Sequence, residues 1–445
     1  MMGRQFLKEH PPALKFIFFT EMWERVGFYT LMAILVLYMD NVLAWSDSKK
    51  GDWYGVFLAM CYLFPLVGGW LGDRLLGRWQ TVRIGAILMA AGYVGLALSS
   101  PTQTTSFIIG LMLIAVGTGI FKVNMSVLVG NIYQNKPHLK DAGFNIYYMG
   151  VNLGAMIAPL VATLNNAVFH SYHLSFWVSA CGLILALVIF QAGKKQLLPA
   201  DDLLERKLKA QTKENQVFTS ETSNLQPALT DNLSAEDNRG RLLALFILIS
   251  IVILFWVAFY QNGFAMTLFA DRSTIRLSWL RPETYQFFEP FFILVLTPLL
   301  LGYFSQLRAR GKEPSTPRKI FLGMLFMAAA MFIMILACLR GGNRDQNIMS
   351  PLWLITSYFV VTMAEILISP MGLSYVSKVA PEKIRGLMMG SWYLATAIGS
   401  YGSGLLGKLY SRFPHHQYFL ILTALLLLAA GLVALAIPKL EKYAV

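Results

Sequence analysis

Gly69-Trp70-Leu71-Gly72-Asp73-Arg74-Leu75-Leu76-Gly77-Arg78 is a short, basic, glycine-punctuated turn set between two apolar runs. The run before it, near 52–73, and the run after it, near 80–99, are each about 20 residues long, enough to cross a hydrocarbon core of about 30 Å as a helix. Outward from this turn the pattern repeats. Further runs lie near 13–39, 105–130, 142–168 and 173–193, and then near 241–270, 284–307, 319–339, 351–377, 385–410 and 416–437. Twelve spans account for a chain of 445 residues that is 56% hydrophobic and only 14% charged, which is not a soluble composition. Met1 to Pro12 is polar and shows no cleavable signal pattern, so the first run is expected to act as its own insertion signal.

The formal charge of +13 raises the question of nucleic acid. Its distribution answers it. With both termini in the cytoplasm, most Lys and Arg fall on cytoplasmic segments, among them Arg74, Arg78, Arg83, Lys194, Lys195, Arg308, Arg310, Lys312, Arg318 and Lys319. That is the positive-inside pattern of a membrane protein, and no nucleic-acid partner is expected. Cys61, Cys181 and Cys338 lie in apolar runs without metal-ligand spacing, so neither a disulfide framework nor a metal site is expected. The six histidines sit in loops or at helix ends, which leaves proton carriage to carboxylates.

The stretch 194–240 is rich in Lys, Glu, Asp, Asn, Gln, Ser and Thr and holds no run apolar enough to span. It divides the chain into 1–193 and 241–445, with six spans each. Within it, Leu203 to Lys213 suits a basic surface helix and the remainder a flexible linker. The turn at 69–78 resembles the major facilitator signature GxxxD(R/K)xxG(R/K). Gly302, Arg308, Arg310, Gly311 and Lys312 form a degraded echo of it at the matching place in the second half. The implied fold is an all-α membrane protein, a major facilitator fold of twelve transmembrane helices in two six-helix bundles, 6+6, that rock about a midplane site.

A charged side chain near the bilayer centre costs about 2.5–3.5 kcal/mol on insertion scales, so each needs a partner or a wet cavity. Span 1 holds Glu21, Glu24 and Arg25, whose i, i+3, i+4 spacing puts them on one face. Lys122 lies deep in span 4, Glu289 in span 8 and Glu365 in span 10. Four carboxylates stand against two cations. At least one carboxylate is therefore expected to bind a proton or a substrate cation. Pro370, five residues after Glu365, is expected to kink span 10.

Glu21-Met22-Trp23-Glu24-Arg25 (ExxER), Lys122 to Ser126 (KxNxS), Phe144 to Met156 with Tyr148 and the Asn152–Gly154 pair, Ser369 to Ser374 (SPxGLS) and Gly390 to Gly404 occur in that order along the chain. Together they resemble the proton-coupled oligopeptide transporter family over nearly the whole sequence. The resemblance implies import of di- and tripeptides by proton symport. It implies no cofactor, with the proton gradient as driving force. Partners would be small peptides, protons and membrane lipid, in a monomer in a bacterial inner membrane. It further implies that Arg25 and Lys122 grip the peptide carboxylate, that Glu365 and Asn152 receive its amino end, and that Glu21 and Glu24 couple protonation to release of Arg25. Tyr29, Tyr62 and Trp392 would line the cavity, with Tyr260 and Ser369 in the same site.

This chain departs from the family pattern in a coherent way. Met32 stands where relatives commonly carry a second span 1 Arg, and Tyr260 where they carry its span 7 Glu partner; losing one alone would strand a buried charge. Glu289 stands before Pro290 where Asn is usual, and Phe28 where Tyr is frequent. Glu289 is expected to take over part of the missing acidic role, as proton carrier or amine ligand. The pair of extra helices that many bacterial members carry between the halves is expected to be absent. The altered pocket keeps other substrates open, among them another small anion, an amino-acid derivative or an exported compound. A non-transporting nutrient sensor is a further alternative, and no catalytic constellation suggests an enzyme.

Overall fold

The computed structural model describes residues 9–201, 235–381 and 384–443. The surface helix expected at Leu203 to Lys213, the flexible linker and the absence of an inserted helix pair concern a stretch outside the described residues.

Twelve long helices make up the described chain. They are α1 (Ala13–Asn41), α2 (Asp47–Trp70), α3 (Arg78–Ala97), α4 (Thr104–Asn131), α5 (Lys140–Phe169) and α6 (Tyr172–Ala192). The second six are α7 (Ala235–Phe259, resumed at Ala265–Arg272), α8 (Phe288–Ala309), α9 (Thr316–Ala337), α10 (Leu352–Val379), α11 (Arg385–Gly407) and α12 (His415–Lys442). Serine side chains start three of them: Ser46, Ser171 and Ser315 each accept a first-turn amide. Eleven helices are long and apolar enough to span by length and hydropathy. The exception is α11, whose stretch Gly399 to Gly404 is mostly glycine, serine and tyrosine because its face packs on protein. Pro370 lies inside a continuous α10.

The packing repeats. In the first half the main contacts are α3 with α4, α1 with α5 and α6, α2 with α4, and α3 with α6. Advancing each label by six gives α9 with α10, α7 with α11 and α12, α8 with α10, and α9 with α12, the principal contacts of the second half. Between halves α2 packs on α11 and α5 on α8, and these two pairs exchange under the same operation. This is the major facilitator fold, two six-helix bundles related by internal duplication.

The turn at 69–78 is built around its polar residues. Arg78 pairs with Asp73 and donates to Asn124 Oδ1 at 2.9 Å, while Asn124 Nδ2 donates to the carbonyls of Gly68 and Ile120, each at 2.8 Å. Asn124 therefore ties the end of α2 to α4, a structural task for one position of the KxNxS motif. Gly77 has φ +80°, and a Cβ there would meet the Asp201 carboxylate that caps Trp79 N at 2.9 Å, so only glycine fits.

The echo turn between α8 and α9 is held by Glu313, which bridges Arg308 at 2.6 Å and Lys319 at 2.6 Å. Hydrogen bonds from these two cations hold the Glu313 carboxyl down at about 2. A depressed carboxylate contributes stability above the ordinary carboxylate range and loses it only as pH falls through its folded value. Between pH 5 and pH 8 the Glu313 carboxyl stays ionised. Glu313→Gln is accordingly expected to leave the shape of an uptake-against-pH curve unchanged.

The two halves are sealed at the end away from the chain termini. Arg272 at the end of α7 donates to Asp40 Oδ2 at 2.9 Å and Asp47 Oδ1 at 3.1 Å, and Lys50 pairs with both aspartates. Ser411 also binds Asp47, Thr163 meets Thr284 at 2.7 Å, and Asn166 donates to Glu283 at 2.9 Å. Beneath them Gly51 and Gly55 of α2 lie against Gly404 of α11, where a Cβ on Gly404 would stand 2.2 Å from the Gly51 carbonyl oxygen. Small residues at such crossings let helix backbones touch. Between described residues, every hydrogen bond and ion pair joining the halves falls at this end or at the depth of the cavity described next.

Candidate functional site

Below the seal, between the halves, lies a cavity of about 290 Å³. This is the size of a small-ligand site. Glu21, Arg25, Tyr29, Tyr62, Lys122, Asn152, Tyr260, Glu289 and Glu365 all line it, contributed by α1, α2, α4, α5, α7, α8 and α10. Arg25 and Lys122 thus face one shared chamber, the condition on which the sequence-based mechanism depends.

Two expected residues do not line the chamber. The ring of Trp392 is 2% exposed and sits against Gly372 of α10, where a Cβ would fall 1.8 Å from the indole. The glycine leaves a slot that draws the indole between α10 and α11, which corrects its expected place in the lining. Ser369, one turn beyond Glu365 on α10, also lies outside the lining, its hydroxyl buried without a partner. Glu24 stands behind Arg25 and is fully buried.

The span 1 cluster is asymmetric. Glu24 grips Arg25 with both oxygens, Nη2 donating to Oε1 at 2.6 Å. This is the fork-to-fork pairing that guanidinium geometry favours. Glu21 has only a 3.4 Å contact with Arg25 Nε and lies beside Tyr147. Arg25 also rests over the Phe28 ring, 5.1 Å from its centroid. The two carboxylates therefore differ in how firmly they are held: Glu24 is locked and Glu21 is loose.

Lys122 reaches the chamber because α4 sits close to its neighbours. Gly117 lies against the Gly85 carbonyl of α3, and Gly119 against Phe64 of α2. Its ammonium stands 5.9 Å from the Tyr62 ring centroid and, among the described residues, pairs with no carboxylate. Asn152 donates Nδ2 to the Tyr148 carbonyl at 2.9 Å, which leaves its amide oxygen available.

The opposite wall is shaped by a break in α7 that sequence reasoning missed. The helix tightens at Tyr260–Asn262 and restarts at Ala265. Backbone groups released at membrane depth must be satisfied by protein. Tyr54 donates to the Tyr260 carbonyl at 2.8 Å, and Tyr358 and Gln286 donate to the Asn262 carbonyl at 3.0 Å and 2.8 Å. The Asn262 side chain then holds Glu289. The available signal was the Asn262-Gly263 pair inside an apolar run. Met32 and Tyr260 both line the chamber, and Met32 Cε stands 3.5 Å from the Cβ position of Gly263 at the break.

The chamber thus sets one uncommitted ammonium and one carboxylate-clamped guanidinium against two carboxylates that have no cation partner among the described residues. Such a wall-to-wall division suits a small molecule carrying both signs of charge.

Comparison with known proteins places this architecture. The chain is 30% identical to a peptide transporter of Yersinia enterocolitica over 455 residues, covering 91% of this chain and 89% of the relative. It is 30% identical to a di-/tripeptide transporter of Lactococcus lactis, covering 96% and 95%. Its structure is similar to a crystal structure of a peptide transporter POT in complex with sulfate, at a TM-score of 0.84 and 27% identity, over 98% of this chain and 96% of that one. The POT family model matches residues 79–421. With a family match across most of its length and the duplicated twelve-helix fold around a charged chamber, this chain belongs to the POT family of transporters.

Proposed function

We propose that this protein is a multi-pass membrane symporter that imports di- and tripeptides with protons by alternating access. The observation that carries the reading is the shared chamber with cations on one wall and, on the other, carboxylates that have no cation partner among the described residues. Arg25 and Lys122 take the peptide carboxylate, Glu365 and the Asn152 amide oxygen take the amino end, and Tyr29, Tyr62 and Tyr260 form the walls between. Fixing both termini limits length while leaving side chains free, because few contacts read them.

The units that move are 1–193 and 241–445, joined by 194–240. With the termini in the cytoplasm of a bacterial inner membrane, as the distribution of Lys and Arg supports, the sealed end is external and the structure is inward-facing. Glu21, held loosely, is the carboxylate that takes the transported proton. Protonation weakens its hold on Arg25, and Glu24 then keeps the guanidinium turned from the peptide. The driving force is the proton gradient, with no cofactor, and a single chain contains the whole site.

Glu289 supplies part of the acidic character lost with Tyr260 at the α7 position. Glu289→Gln is expected to lower peptide uptake at least about tenfold or to flatten its pH dependence, since one buried charged hydrogen bond is worth about 1.5–3 kcal/mol. Uptake and pH profile both equal to wild type would remove Glu289 from the mechanism.

The test of the function itself is uptake of labelled dialanine into proteoliposomes with an alkaline interior, with competitor peptides of two, three and four residues. Accumulation should require the pH gradient, and peptides of two and three residues should compete while four do not. No gradient-dependent accumulation would refute the reading.

A further inference from the structure

Zwitterionic peptides carry one ammonium, and the second-half wall of the chamber offers two carboxylates. Glu289 on α8 and Glu365 on α10 both line the chamber. Neither forms an ion pair among the described residues. On the other wall Arg25 is already charge-matched by Glu24, so of the two cations that take the peptide carboxylate only Lys122 brings a charge not yet answered. Seating a neutral zwitterion therefore answers Lys122 and one carboxylate, and leaves the other without a counter-charge.

The surroundings of Glu289 distinguish it from Glu365. Its Oε2 is fixed by the Asn262 amide at the break in α7, so the carboxylate is held in one place. The second-half lining also holds Trp256, Phe259 and Tyr260, with Trp256 and Tyr260 stacked at 5.7 Å between centroids. Aromatic faces carry the methylene stem of a long cationic side chain and attract its charged head. A fixed carboxylate and aromatic faces in one chamber are the complement of a lysine or arginine side chain.

We infer that Glu289 is a specificity-determining residue that binds the side-chain ammonium or guanidinium of a cationic peptide, so that the transporter favours lysine- and arginine-containing dipeptides. The inference rests on the peptide-transport reading and assigns the pocket that reads the side chain.

The test is competition against labelled dialanine uptake in proteoliposomes, using unlabelled alanyl-lysine and alanyl-norleucine, which differ by a single amino group. In wild type, alanyl-lysine should inhibit at a concentration at least about tenfold lower. That ratio should fall towards one in Glu289→Gln and in Glu289→Asn, each read against that variant's own residual dialanine uptake. Glu365→Gln should weaken both peptides and leave the ratio standing. Equal potency of the two peptides in wild type, or a ratio that survives both Glu289 substitutions, overturns the inference. If dialanine itself is not accumulated, the transport reading fails; if dialanine is accumulated and the ratio is one, only the assignment of Glu289 fails.

Discussion

Arg25→Ala is expected to reduce peptide uptake below about 1% of wild type and to lower the melting temperature by several degrees. Two losses combine. The peptide carboxylate loses its guanidinium, and Glu24, fully buried, loses the partner it grips with both oxygens. Removing one member of a buried pair costs about 3–5 kcal/mol because the other charge is stranded, and every 1.4 kcal/mol is about a factor of ten. The two losses can be separated. Adding Glu24→Gln to Arg25→Ala removes the stranded charge, so the melting temperature should recover while uptake does not. Arg25→Lys should also fail in uptake, since an ammonium cannot serve the Glu24 fork and a substrate together. Thermal unfolding in detergent alongside proteoliposome uptake reads both effects; recovery of uptake in the double substitution would mean that Arg25 matters only for folding.

Gly404→Val should stop transport by a different route. Valine at 404 places carbon where the backbone of Gly51 and Gly55 now lies, at distances no real Cβ contact occupies. Helices α2 and α11 cannot close there, and the conformation with this end sealed is lost. Moving an equilibrium from 99:1 to 1:99 takes about 5.5 kcal/mol, and two backbones in direct overlap exceed that. Spin labels at Lys49 and Arg412, both exposed and on opposite halves at the sealed end, report the change. Their distance should lengthen in Gly404→Val and match wild type in Gly431→Val, since no atom lies near a Cβ at position 431. An unchanged distance in Gly404→Val would show that the glycines are not the hinge of closure.

The all-helical membrane fold was legible because apolar runs long enough to cross a membrane leave few alternatives, and the turn at 69–78 has its echo at 302–312; of the twelve spans expected, eleven are long and apolar enough among the described residues. Glu21, Glu24, Arg25 and Lys122 were legible for the complementary reason: a charge inside an apolar run has to be answered by structure. Residues without charge gave weaker signals. Asn262 and the break in α7 were missed because Gln261-Asn262-Gly263 is a short polar interruption flanked by apolar residues on both sides, and its consequences depend on Tyr54, Tyr358 and Gln286 arriving from elsewhere in the fold. Trp392 was misplaced because the slot that holds it belongs to Gly372 on another helix. The seal was not foreseen at all. Asp40, Asp47, Lys50 and Arg272 sit at helix ends, where charges are ordinary, and only the tertiary fold brings α7 against α1 and α2.

The central claim is that Lys122, with Arg25, holds the carboxylate end of a short peptide in this chamber. Equilibrium binding of dialanine and of dialanine amide to the purified protein, in wild type and in Lys122→Gln, measures that contact as a double-substitution cycle. Amidation should weaken binding at least about tenfold in wild type, in line with the loss of a charged hydrogen bond, and clearly less in Lys122→Gln, where Arg25 alone remains to hold the carboxylate. Equal weakening in both proteins would place the peptide carboxylate elsewhere and contradict the account.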